Sequence, residues 1–167
     1  MNERLIVVVL GMHKSGTTLI TDVLHSSGIS MVEAYQEDIS YDSGSKAERD
    51  STKVINNMIL GSDDLFSLSI TNKIHIDKNI IETMRETLMR INDTEKDWGF
   101  KDPRTCLTYD LWKDLLPRHK VIIVFRSPEE VWTHYWKSPR LKKRLRVMRR
   151  FFDSWCMHNK NILNILS

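Results

Sequence analysis

The residues of this chain that could do chemistry sit in three short stretches. The first is Gly11-Met12-His13-Lys14-Ser15-Gly16-Thr17-Thr18, a glycine-bracketed loop with one lysine and three hydroxyls. An apolar run, Leu5 to Leu10, precedes it, and an amphipathic segment, Leu19 to Ser27, follows. That order predicts a buried strand, an anion loop and a helix, with loop amides and the helix N-terminus directed at a phosphate or similar group. Gly11 and Gly16 have the spacing of an ATP- or GTP-binding loop, but Thr17 stands where that loop carries its lysine. Lys14 lies two residues before Gly16 instead, which disfavours an ordinary ATP or GTP site. The second stretch is Lys101-Asp102-Pro103-Arg104, where Asp102 can fix Lys101 or Arg104 and Pro103 stiffens the turn. The third is Arg126-Ser127-Pro128-Glu129-Glu130. An arginine at a strand end can grip a phosphate bidentately, or pair with Glu129 or Glu130.

These stretches need elements to hold them. Trp98 to Lys101 reads as a short strand, and His119 to Phe125 as a strand buried on both faces. Ser127 can cap a helix whose first residue is Pro128. A helix is expected over 48–60, where Val54, Ile55, Met58 and Ile59 are apolar positions, and another from Asp77 to about Ile91 with Ile80, Ile81, Met84, Leu88 and Ile91 on one face. Thr105 to Leu115 is a further helix. Pro139 opens a last long one with apolar positions Leu141, Leu145, Met148, Phe152, Trp155, Ile162 and Leu166. Residues 28–47 read as a loop or lid, and 61–72 are ambiguous. Strands alternating with helices predict a three-layer α/β fold, P-loop-like, with a small parallel sheet flanked by helices. All three chemical stretches then follow strands, where such sheets bind ligands.

Composition sets the outer bounds. A chain of 167 residues, 41% hydrophobic and 28% charged, fits one globular domain, residues 1–167. No apolar run approaches the roughly 20 residues of a membrane span. The early first strand leaves no room for a signal peptide, and Cys106 and Cys156 form no disulfide framework or metal pattern. The expected location is therefore cytoplasmic, with both thiols free and semi-buried. The net charge is only +3, but Lys137, Arg140, Lys142, Lys143, Arg144, Arg146, Arg149 and Arg150 crowd one stretch. That stretch reads as a solvated helix face, a cover for a phosphate, a lure for an acidic ligand, or a contact for anionic lipid or nucleic acid. Trp132, Trp136 and Trp155 are expected in the core or an interface.

The three stretches together resemble the sulfotransferases that use 3′-phosphoadenosine 5′-phosphosulfate (PAPS). In particular they resemble a bacterial-type group reading G-M-H-R-S-G-T-S, then K-D-P-R, then R-x-P, in that order. Trp155, Asn159 and Leu163 resemble that group's closing helix. The resemblance implies in-line transfer of a sulfuryl group from PAPS, without a metal, to a hydroxyl or amine on a small-molecule, glycan or lipid acceptor. No nucleic-acid partner is expected. It gives Lys14 the bridging and leaving oxygens, and gives Ser15, Gly16, Thr17 and Thr18 the 5′-phosphate. Lys101 is a second catalytic cation and Arg126 holds the 3′-phosphate. The family usually has a serine eight residues after that arginine; here the position is His134. His134, Thr133 or Ser138 would substitute for it. Glu48 is the expected base, with Glu33, Glu37, Asp38 and Asp50 as rivals. His13 would touch donor or acceptor, or pack against the turn. The family's further strand and basic C-terminal segment have no counterpart before Ser167. Two alternatives stand beside this reading: a P-loop nucleotide kinase or NTPase, and a non-catalytic sulfotransferase-like module that grips a sulfated or phosphorylated partner.

Overall fold

The computed structural model of the chain describes residues 4–34, 47–62, 74–136 and 144–166. Three parallel strands, β1 (Ile6–Leu10), β2 (Trp98–Lys101) and β3 (Lys120–Ile123), form one sheet in the order β2-β1-β3. Six helices accompany them among the described residues: α1 (Thr17–Ser26), α2 (Asp50–Leu60), α3 (Lys78–Thr94), α4 (Thr105–Leu115), α5 (Pro128–Trp136) and α6 (Arg144–Leu166). The protein is thus α/β with a small parallel sheet, as the sequence predicts. None of these helices is long and apolar enough to cross a membrane.

β1 is central because all five of its residues are apolar and can be buried on both faces. Val7 and Val9 pack with Met31 and, from α1, Ile20 and Leu24. Ile6, Val8 and Leu10 pack on the other side with Phe100, Trp112, Ile55, Ile59, Met84 and Leu88. Full burial stabilises each such side chain by roughly 1.5–3 kcal/mol. A third cluster, Met12, Val131, Tyr135 and Phe151, lies beyond the end of β1 and ties α5 and α6 to its loop. Gly99 permits close cover of β2: a Cβ there would lie 2.3 Å from the Val7 carbonyl oxygen and 2.6 Å from Met31 Sδ. The register sets Val9 beside Lys101 and Leu10 beside Ile123, so the three strands end at one edge.

Several expectations are corrected. β3 is a half-buried edge strand rather than one buried on both faces, because only β1 flanks it among the described strands, and Phe125 beyond it is 62% exposed. In α2, Val54 and Met58 face solvent while Thr52 and Asn56 are buried with Ile55 and Ile59. In α6 the buried stripe is Phe151, Ser154, His158, Asn159 and Ile162, and Met148, Phe152 and Leu166 are exposed. Both helices turn polar side chains inward where they border the strand ends, which shifts the face that an apolar count selects. Ser30, within the expected loop, forms a parallel bridge with Trp98. Cys106 is buried and Cys156 exposed, both free. Asp77 caps α3 as expected, accepting from the Ile80 amide at 2.8 Å. Glu37, Asp38 and Ser138, the start of the last helix at Pro139, and basic residues 137–143 lie outside the described residues.

Candidate anion-binding active site

The loop after β1 is built on a tight turn in which the Ser15 amide donates to the Met12 carbonyl at 3.1 Å. Lys14, its third residue, has φ 65°, and Gly16 has φ 102°. A turn of this kind favours glycine at the position Lys14 occupies. Gly11 is needed for contact: a Cβ there would sit 2.6–2.7 Å from Thr17 Cγ2, Ser15 Oγ and the Val124 carbonyl oxygen. The loop is therefore folded back against both α1 and the end of β3. Gly16 is the N-cap of α1, and neither a capping side chain nor an acidic residue serves the first turn. The orphan amides of that turn are left for an anion. Thr17 and Thr18 are the first two residues of α1. Ser15 Oγ is buried and has no hydrogen-bond partner among the described residues, a vacancy that normally costs about 1–3 kcal/mol.

Arg126 reaches this loop from the end of β3. Its Nη1 donates to the Lys14 carbonyl at 3.4 Å and to His134 Nε2 at 3.3 Å. Because guanidinium can only donate, His134 Nε2 accepts and its proton sits on Nδ1. Arg126 Nε also lies 3.7 Å from Glu130 Oε2, so the expected helix-start pairing is present as well. Ser127 Oγ accepts from the Glu130 amide at 3.4 Å, the expected cap of α5. Trp155, on α6, donates to the Arg126 carbonyl at 3.2 Å and fixes the backbone there. The structure thus brings together Lys14, Arg126 and His134.

Beyond β2 lies a buried charge cluster. Lys101 Nζ is 3.3 Å from Glu48 Oε1, with side chains 2% and 1% exposed. Arg104, not Lys101, takes Asp102: its Nε and Nη2 each lie 2.8 Å from an Asp102 oxygen. Arg104 also donates to Asn57 Oδ1 and lies 3.7 Å from Glu48 Oε2. Asn56 braces the turn with its full complement of hydrogen bonds. Its amide donates to Asp102 and Thr105 at 3.0 Å each, and its oxygen accepts from Thr108 at 2.7 Å and Trp112 at 2.9 Å. Glu48 is set between Ala47, at φ 59°, and Arg49, whose buried guanidinium donates to the carbonyls of Gly99 and Ser30. Burial raises the Glu48 carboxyl to about 7, against the pull of Lys101; Asp102 adds to the rise and Arg104 opposes it.

Two histidines complete the site. His13 is buried, with the Tyr135 hydroxyl 3.5 Å from Nδ1. Burial, then the charges of Lys14 and Lys101, holds it down to about 3, so it is neutral. His158, on α6, was not among the expected site residues. Its Nδ1 donates to the Ser154 carbonyl at 2.8 Å, and burial holds it down to about 4. Its charge would act on His13, and that of Asp102 acts on it, which locates it beside the cluster. Its place in the inward stripe of α6, four residues after Ser154, was the signal available in the sequence. Of the rival carboxylates, Glu33 accepts from the Ser51 amide at 3.2 Å at the start of α2, and exposed Asp50 is 4.0 Å from Lys53. The Cys106 thiol is pushed up to about 12 by burial and is inert. Among the described residues no group of His, Cys, Asp and Glu side chains is placed to hold a metal ion.

The arrangement gathers, at the ends of the three strands, the uncapped first turn of α1, Arg126 against the Lys14 carbonyl, and a buried lysine–carboxylate pair, groups whose chemistry suits anionic ligands. No family model matches this chain, and no curated protein matches it.

Proposed function

We propose that this protein is a PAPS-dependent sulfotransferase with a P-loop-like nucleotide site. The observation that carries the reading is the contact between Arg126 and the Lys14 loop. An arginine beside that loop would offer a second anion-binding position, which suits a nucleotide bearing separate 5′- and 3′-phosphates better than one with a single phosphate chain. The uncapped α1 and the orphaned Ser15 hydroxyl support the 5′ position, and the Arg126–His134 pair supports the 3′ position. His134 would serve there in place of a serine, once its ring presents a proton to the phosphate.

In the reaction the acceptor oxygen attacks sulfur in line, and the bond between sulfur and the 5′-phosphate oxygen breaks. The leaving phosphate keeps the electron pair. Lys14 and Lys101 stabilise charge building on that oxygen. The proton lost by the acceptor passes to Glu48, whose raised value suits a base near neutrality. Hydroxyl or amine acceptors on small molecules, glycans or lipids are all compatible with this step.

The test is calorimetric titration with adenosine 3′,5′-bisphosphate, 5′-AMP, and ATP with and without Mg²⁺. The expected result is metal-independent binding of the bisphosphate, stronger than that of 5′-AMP, and weakened in Lys14→Ala and Arg126→Ala. Binding of ATP alone, and only with Mg²⁺, would transfer the site to the kinase class.

A further inference from the structure

The lysine–carboxylate pair has a chemical consequence beyond the transfer reaction, although it rests on the same anion site. Lys101 is the one group that donates a hydrogen bond to Glu48 among the described residues. Arg104 faces Glu48 Oε2 at 3.7 Å, but that guanidinium is committed to Asp102 and Asn57. From α6 and the β1 loop the nearby titratable groups, His158 and His13, are neutral and add no counter-charge. Asp102 is a like charge to Glu48. Lys101 is therefore the cation that does most to hold this buried carboxyl down, with a smaller pull from Arg104. The backbone of Lys101 lies beside Val9, two residues before Gly11, and its charge acts on His13 within the loop.

We propose that Lys101 is shared between Glu48 and the incoming anion, so that anion binding at the loop draws Lys101 away from Glu48 and that carboxyl takes up a proton from solvent. Losing one partner of a buried ion pair leaves an uncompensated charge, which a carboxylate relieves by protonation. The carboxyl stands at about 7 while Lys101 is beside it, so it is mostly ionised at pH 8 and takes up a proton there once loss of Lys101 lifts it well above 8. No covalent bond changes: the proton comes from the buffer, Lys101 keeps its own, and the ligand contributes the negative charge that replaces Glu48 as the partner of Lys101. The protonated carboxyl must return this proton to solvent before it can take one from the acceptor.

The experiment is titration calorimetry of the full chain with adenosine 3′,5′-bisphosphate at pH 8, in buffers of different ionisation enthalpy. Uptake approaching one proton per ligand bound is expected, shrinking toward zero in Glu48→Gln. No uptake by the wild-type chain, or equal uptake by Glu48→Gln, overturns the proposal. Infrared difference spectra of the wild-type chain supply a measurement that needs no variant: ligand addition should create the carbonyl band of a protonated carboxyl, and its absence would overturn the proposal too. Inorganic pyrophosphate separates this inference from the nucleotide reading. If pyrophosphate binds with proton uptake and the bisphosphate does not bind, the sulfotransferase reading fails and the shared lysine stands. Failure of both anions to bind overturns both.

Discussion

Lys14 carries its charge on a backbone conformation that lysine does not favour, and the two properties can be separated by two substitutions. At φ 65° in a turn closed by a 3.1 Å hydrogen bond, the residue is in the left-handed region. An L-residue there bears roughly 1–2 kcal/mol of steric cost that glycine avoids. Glycine also adds about 0.4–1 kcal/mol of chain entropy to the unfolded state. Lys14→Gly should therefore be more stable than Lys14→Ala by about 0.5–1 kcal/mol, a Tm difference of roughly 1–4 °C for a chain of this size. Both variants lose the ammonium. Each should bind adenosine 3′,5′-bisphosphate more weakly by about 1.5–3 kcal/mol, or roughly 10- to 150-fold. Thermal unfolding of the ligand-free variants, with calorimetric titration of each, measures both quantities. Equal stabilities would refute strain at Lys14, and wild-type affinity in either variant would refute its place in the anion site.

Two further outcomes bear on stability. His158 and His13 are held down to about 4 and about 3 from 6.5, so the folded chain binds fewer protons than the unfolded chain between those values. Their contribution is fully present above pH 6.5 and is lost as pH falls through the folded values, about 3 kcal/mol for one such group. Glu48, held up to about 7, works in the opposite sense: it favours the fold below its ordinary value and withdraws that support as pH rises through 7. Urea unfolding at pH 7 and pH 4.5 should show a smaller acid loss in His158→Gln than in wild type, and equal losses would reject the assignment. Asn56→Ala strips partners from Asp102, Thr105, Thr108 and Trp112 at once and should cost about 3 kcal/mol, read as a fall in the urea midpoint; a loss under about 1 kcal/mol would show that water replaces it.

The three strand-following loops were legible because strand ends and glycine spacing are local signals. β1, β2 and the helices from Asp77 and Thr105 follow from apolar runs and caps of the same kind. What the sequence did not disclose is long-range. The exposure of β3 depends on which strand lies at the edge, and no local pattern encodes strand order. Glu48 was one of several equivalent acids in a polar stretch until the fold paired it with Lys101, 53 residues away. His158 and Asn56 break the apolar rhythm of their helices, and a polar residue at a buried position reads as a surface residue until its partners are known. Asp102 could have taken either neighbouring cation, and the geometry of the turn gave it to Arg104.

The order β2-β1-β3 also bears on how the chain is made. β1 is made before β2 and β3, yet it lies between them, and its strand pairing begins only with Trp98 and ends only with Lys120 to Ile123. Until then Ile6 to Leu10 has helix side chains to pack on but no strand partner, and its backbone edges are open to other chains. The same order delays the anion site, because Arg126 meets the Lys14 loop across 112 residues. A nascent chain released before that point would hold the loop without its arginine. Binding of the proposed nucleotide should therefore follow synthesis of Arg126, and added adenosine 3′,5′-bisphosphate should assist folding only after that point.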